Sequence, residues 1–330
     1  MVFGAAGLRT HIWNNNLRSL ILLAGFPVLL VLIGFAITLV WMGIAGDGYD
    51  AVKGDVTGAA MAGAFEQLPV IGLVSLGIAG IWFIIAWFFH QRMIDASTGA
   101  RTVRREEEKE LYNLLENLCV SRGMSMPRLA IIETEAMNAY ASGIREDQCT
   151  VTVTRGLMNG LDRAELEAVL AHELSHIRHA DVRMMVIAII FVGIISFAAE
   201  IAFRGLLHGG MRGGRRGGGV LILAAFAMIA LAWVLAVLIR FSLSRRREYM
   251  ADAGAVELTK NPDAMISALQ KISGQAEIEK APSEVRELFI ENPKAGFMGV
   301  FATHPPIEKR IEMLVEHAGG KRPYPSVPQR

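Results

Sequence analysis

Four stretches of this chain are almost free of charge. Ser19 to Gly46, Leu68 to Phe89 and Val220 to Ile239 contain no ionisable acid or base, and Met184 to Phe203 contains only Glu200. Each runs to about 20 residues or more, enough at about 1.5 Å per residue to cross a hydrocarbon core of about 30 Å. The pattern predicts four membrane helices, over 19–46, 68–89, 184–203 and 220–239. The first is longer than a signal-peptide core and no small-residue cleavage site follows it, so it reads as an uncleaved anchor. Pro27 within it is tolerated in a membrane helix and introduces at most a kink. Glu200 is near a span end and four residues from Arg204, which suits an interfacial pair better than a substrate group.

Between the apolar stretches the pattern changes period. Arg128 to Glu133, Met137 to Ser142 and Cys149 to Thr154 alternate and carry β-branched residues, which predicts a small sheet. Arg104 to Leu118 reads as a charged amphipathic helix. Asp162 followed by Glu165 forms a capping-box start, and Leu166, Val169, Leu170, Leu174 and Ile177 continue as a helical stripe. Pro305 and Pro306 suit the start of another helix, whose apolar positions are Ile307, Ile311, Leu314 and Val315. Ser273 to Phe301 has no strong period and reads as a flap with a short helix near Glu284 to Phe289. Lys321 to Arg330 reads as a disordered tail. The chain thus divides into two membrane helices (1–90), a first soluble part (91–181), a membrane hairpin (182–243), a second soluble part (244–320) and the tail (321–330).

The 330 residues are 52% hydrophobic with a formal net charge of +1. The absence of a clustered basic excess argues against a nucleic-acid partner. Arg9 and Arg18 precede the first span, Lys53 stands alone among Asp47, Asp50, Asp55 and Glu66 after it, and Arg92, Arg101, Arg104 and Arg105 follow the second. The positive-inside rule then places the N-terminus and everything from His90 to the third span in the cytoplasm. The hairpin tip, with Arg204, Arg212, Arg215 and Arg216 and no acid, runs against that rule. Either the earlier spans dominate or the hairpin does not fully cross, and the first is preferred. Cys119 and Cys149 make neither a disulfide framework nor a metal-ligand spacing and read as reduced, buried thiols.

The chemistry lies in His172-Glu173-Leu174-Ser175-His176. On a helix, positions four apart share a face, so both imidazoles can hold one metal ion while Glu173 stays free to move a proton. Zn²⁺ held by three protein groups lowers the pKa of its water to about 7, and this spacing is a peptidase signature. A third ligand is required. Val182 stands where a metzincin has its third histidine, Glu200 lies within an apolar stretch, and Arg163, Glu165, Glu167, Arg178 and Asp181 make the helix too charged for burial in lipid. Glu248 and Asp252, four apart in the segment after the fourth stretch, are better placed. Glu248 can ligate the metal while Asp252 hydrogen-bonds the outer nitrogen of a ligand histidine. The same segment also reads as a juxtamembrane helix anchored by arginines. No Gly or Pro lies between His176 and Met184 or between Ile239 and Glu248. Unbroken helices would therefore bring His176 and Glu248 to about 12 and 13 Å from the hydrocarbon edge.

Three segments, HELSHIRHAD, SRRREYMAD and FATHPPIEKRI, with hydrophobic spans between the first two, closely resemble the HtpX membrane zinc metalloproteases, relatives of the CAAX prenyl endopeptidases. The resemblance runs from the first spans to Ile311. It implies an α+β, mainly α fold: four hydrophobic helices and a cytoplasmic gluzincin-type zinc peptidase domain with a small sheet. It implies one Zn²⁺ per subunit on His172, His176 and Glu248, Glu173 as the base and Asp252 behind the ligands. Asn138-Ala139-Tyr140-Ala141-Ser142-Gly143 is similar to the family's edge strand beside the active-site helix. A free edge there could hold an extended peptide, with Asn138 either binding substrate or forming a turn. His304 and Arg310 are implied at the oxyanion; the alternatives are that His304 only caps its helix, the less favoured reading, and that Arg310 pairs with Glu308 or Glu312.

The expected protein is a multi-pass endopeptidase of the bacterial inner membrane. It would cut membrane or misfolded proteins at the cytoplasmic face in quality control and stress response, with the lipid bilayer and protein substrates as partners. The alternatives are a processing peptidase for lipidated C-termini and a membrane scaffold without turnover, and the intact set of ligands and base argues against the second.

Overall fold

The computed structural model describes residues 17, 24–25, 27–39, 41–42, 56–187, 204, 226–227, 230–231, 246–278, 281, 285–291 and 304–321. The predicted spans at 184–203 and 220–239, the hairpin tip and the tail from 322 onward fall almost wholly outside these residues. The chain divides into two compact units, one drawn from residues 1–18, 89–187 and 241–330 and the other from 19–88 and 188–240.

In the second unit, α1 (Pro27–Leu39) and α2 (Val56–Glu66) precede α3 (Leu68–Thr98). Leu39, Ala60 and Ala64 form a small apolar core with Phe35 and Met42 beside it. Between the first two predicted spans, α2 is helical over Val56–Glu66, where four alanines are strong helix formers. Among the described residues α3 alone is long and apolar enough to cross a membrane. It exposes Leu73, Ile81, Ile84, Phe88 and other large apolar side chains, a surface suited to lipid rather than water. It also overruns its predicted end at Phe89 by nine residues, which enter the first unit.

That unit is built on a four-stranded sheet in the order β1-β2-β4-β3, with β1 (Arg101–Thr102), β2 (Arg128–Ile132), β3 (Ala139–Ser142) and β4 (Thr150–Thr154). The β2–β4 pair is parallel and the other two are antiparallel. The three predicted strands are present, and β1 is too short to leave a periodic signal. Pleating turns Tyr140 and Ser142 to one face, where they meet the overrun of α3. Tyr140 Oη is 3.0 Å from Thr98 Oγ1, and Ser142 Oγ donates to Gln91 Oε1 at 2.9 Å.

The helix expected from Arg104 begins instead at Lys109, as α4 (Lys109–Arg122). Glu107 accepts from the Arg104 main chain and from Arg101, and such local bonds compete with helix formation. The short α5 (Arg155–Gly160) leads to α6 (Arg163–Arg178). Residues 188–240 form an insertion in the sequence of this unit, and after it come α7 (Arg246–Thr259), α8 (Pro262–Ile272), a turn of 3₁₀ helix at Val285–Leu288 and α9 (Ile307–Ala318).

Candidate metal centre

The expected capping box starts α6: Glu165 N donates to Asp162 Oδ1 at 2.9 Å and Asp162 N to Glu165 Oε2 at 2.7 Å. The buried Glu165 carboxylate also accepts from Ser267 and Lys271 of α8, each at 2.6 Å, which ties the start of α6 to that helix. Farther along, α7 packs on α6 through Gly254, where a Cβ would collide with Ser175 Oγ and lie 2.9 Å from its Cβ. This close approach brings together the helices that carry His172, His176 and Glu248.

His172, His176 and Glu248 are all buried and turn their ligand atoms toward one point. The two Nε2 atoms are 3.2 Å apart; Glu248 Oε1 is 3.5 Å from that of His176 and Oε2 is 3.7 Å from that of His172. Ligand atoms about 2.0–2.2 Å from a tetrahedral metal stand roughly 3.3–3.6 Å apart, so the three groups fit one ion with little adjustment. Two imidazole nitrogens facing each other beside a carboxylate are an unfavourable buried arrangement without a cation.

The outer nitrogens are also engaged. His172 Nδ1 lies 2.9 Å from Asp252 Oδ1, and His176 Nδ1 lies 3.2 Å from Asp181 Oδ2, a residue that the sequence pattern does not single out. Burial works against charge on His172, but its bonds to Asp252 and Glu248 outweigh this and raise its pKa to about 9. The same carboxylates favour a metal cation here. Burial raises the Glu248 carboxyl as well, yet its electrostatic interactions with His304 and His176 and bonds from His172 and His304 hold it well below its usual range.

Glu173 is buried beside these ligands, and among the described residues no group hydrogen-bonds its carboxylate. Burial pushes its pKa up; His172 and His176 partly oppose the rise, and Glu248 adds to it. A carboxylate so placed is a stronger proton acceptor than one in water. His304 Nδ1 is 3.3 Å from Glu248 Oε2, so it borders the centre.

Two expected substrate contacts are turned inward. Arg310 is fully buried and makes a bidentate pair with Asp252, Nε to Oδ2 at 2.9 Å and Nη2 to Oδ1 at 2.6 Å. Its Nη1 donates to Ile290 O at 2.9 Å and lies 3.7 Å from Glu248 Oε2. The arginine therefore holds the acid that holds His172; it pairs with neither Glu308 nor Glu312. Asn138 is also fully buried, its amide donating to Ala276 O and Glu291 O while its Oδ1 accepts from Ala139 N and Ile290 N.

The edge of β3 is in consequence partly covered. Thr154 N bonds Asn138 O, so antiparallel alternation turns the main-chain groups of Ala139 and Ala141 outward. Ala139 O already accepts from Ile290 N at 2.9 Å. The stretch at Ala141 is what remains for strand addition.

Comparison with known proteins follows the same lines. The profile of peptidase family M48 matches residues 105–318. A protease HtpX homolog of Bacteroides fragilis is 45% identical over 322 residues, covering 93% of this chain and 98% of that protein. One from Listeria monocytogenes is 38% identical over 260 residues, 74% of this chain and 86% of its own. The crystal structure of S. mikatae Ste24p aligns with a TM-score of 0.47 and 19% identity, over 76% of this chain and 60% of that one, a likeness too slight to establish a shared fold.

Proposed function

Because the chain belongs to peptidase family M48, among its HtpX membrane metalloproteases, we propose that His172, His176 and Glu248 hold one zinc ion and that Glu173 is the proton-transfer group of peptide hydrolysis. The observation that carries this reading is the convergence of three buried ligand atoms at metal-ligand spacing, each histidine backed by a carboxylate. When bound, zinc supplies Lewis acidity toward the peptide carbonyl and toward water.

The protein groups do the rest. Glu173 takes a proton from the attacking water and returns it to the amine nitrogen as the C–N bond breaks, a task that its raised pKa favours. His304, at the border of the centre, donates a hydrogen bond to the carbonyl oxygen as that oxygen gains charge. Arg310 acts at one remove, by fixing Asp252 and through it His172. An extended peptide adds to the outer edge of β3 at Ala141, beyond the stretch that Ile290 covers.

On this reading the apolar stretches 19–46, 68–89, 184–203 and 220–239 anchor the protein in a bacterial inner membrane with the centre on the cytoplasmic side, and loops of damaged or misassembled membrane proteins are the substrates. The distribution of arginines around the first two spans supports that placement. Zinc content and cleavage of an unstructured protein by purified wild type and Glu173→Gln test the reading. Both should bind zinc, and Glu173→Gln should lose about 10²–10⁴-fold in kcat. Equal cleavage by the two would refute the role of Glu173.

A further inference from the structure

The chain between His176 and the insertion contains no glycine or proline, yet α6 stops there. The helix ends at Arg178, His179 closes it, and Ala180 adopts a left-handed conformation with φ 57° before residues 181–187 resume helical form. Alanine gains nothing from that conformation. In an unbroken helix Asp181, five residues beyond His176, would point about 140° away from it. The break instead returns Asp181, completely buried, to 3.2 Å from His176 Nδ1. The other ligand imidazole, His172, has its Nδ1 on Asp252.

We propose that Asp181 is the positioning residue for His176. Its carboxylate accepts the Nδ1–H, which fixes the tautomer and the ring plane and leaves Nε2 as the metal-binding lone pair. The turn at His179–Ala180 is the device that delivers it. The two ligand histidines are therefore oriented independently, His172 by an acid that follows the insertion and His176 by an acid that precedes it. The inference rests on the metal-centre reading above, and its test keeps the two apart.

Zinc affinity of the full-length protein in detergent is measured by competition with a chromogenic chelator, for wild type, Asp181→Asn, Asp181→Glu and Ala180→Gly, alongside thermal melting of each after zinc removal. Asp181→Asn should bind zinc about 10–100-fold more weakly. Its zinc-free melting should stay near that of wild type, and its Co²⁺ ligand-field spectrum should change. Asp181→Glu, which returns a carboxylate on a longer arm, should recover part of the affinity. Ala180→Gly, which keeps the turn, should bind as wild type does. If Asp181→Asn matches wild type in zinc affinity, or if affinity across the set follows the zinc-free melting temperature rather than the carboxylate, the positioning role is wrong. Failure of wild type itself to bind zinc would overturn the metal centre along with it.

Discussion

Replacing Arg310 by methionine separates its two possible roles. The guanidinium is fully buried and spends Nε and Nη2 on Asp252 and Nη1 on the Ile290 carbonyl. Methionine fills much of the same volume but leaves Asp252 as a buried carboxylate without its counter-charge. Removing one partner of a buried ion pair costs about 3–5 kcal/mol. Against a total stability of roughly 5–15 kcal/mol this is severe, and for a folding unit of this size it corresponds to a fall in melting temperature on the order of 10 °C. The assay is thermal unfolding of the detergent-solubilised protein at one scan rate, since unfolding of such proteins is commonly irreversible. Asp252→Asn and the double variant complete a cycle whose coupling should lie within about 0.5–3 kcal/mol. An Arg310→Met protein that melts like wild type, binds zinc normally and yet loses orders of magnitude in kcat would refute this account. It would return Arg310 to the reacting oxygen.

Gly254→Ala forces a methyl group against Ser175 where the two ligand helices touch, and overpacking of this kind costs about 1–3 kcal/mol. Melting temperature and zinc affinity should fall together, and an unchanged value of both would mean that α6 and α7 do not meet as described. Burial pushes the thiol of Cys119 up to about 11 and that of Cys149 up to about 12. Each contributes only about one thiolate per thousand molecules or fewer at pH 8, so maleimide labelling read by mass spectrometry should be slow in the folded protein and complete in denaturant. Rapid labelling of either in the folded protein would contradict its burial.

The parts of the centre that were legible in the sequence are those fixed by helical repeat. His172 and His176, like Glu248 and Asp252, are four apart, and that spacing alone puts each pair on one face. The Asp162–Glu165 cap was legible for the same reason, since all of its bonds lie within one turn. Arg310 and Asn138 were recognised as polar residues in a functional region, but the direction of each is set by groups distant in sequence. Arg310 sits on the buried stripe of α9 with Ile307 and Leu314, and its partner is Asp252, 58 positions away. Asn138 bonds the main chain at Ala276, Ile290 and Glu291. A local pattern has no access to such partners. A side chain that could face substrate and one that supports the site from within look alike until the chain is folded.

The break at Ala180 shows the same limit from the opposite side. Continuous helices through the insertion are the natural expectation where no residue disfavours them, and that expectation puts Asp181 on the wrong face. A left-handed alanine persists only where its surroundings determine it. Here those surroundings include the His176 ring at Asp181 and the Ile144 carbonyl, which accepts from Arg183 Nε at 2.7 Å. Local preference thus yields beside the residue proposed to position His176, which is where a functional demand is expected to override it. The consequence reaches the insertion. Asp181 fixes the chain just before it leaves the catalytic unit, and Glu248 and Asp252 fix it just after its return, all three at the same pair of imidazoles. A displacement of Asp181, Glu248 or Asp252 therefore acts directly on an imidazole proposed to hold the metal.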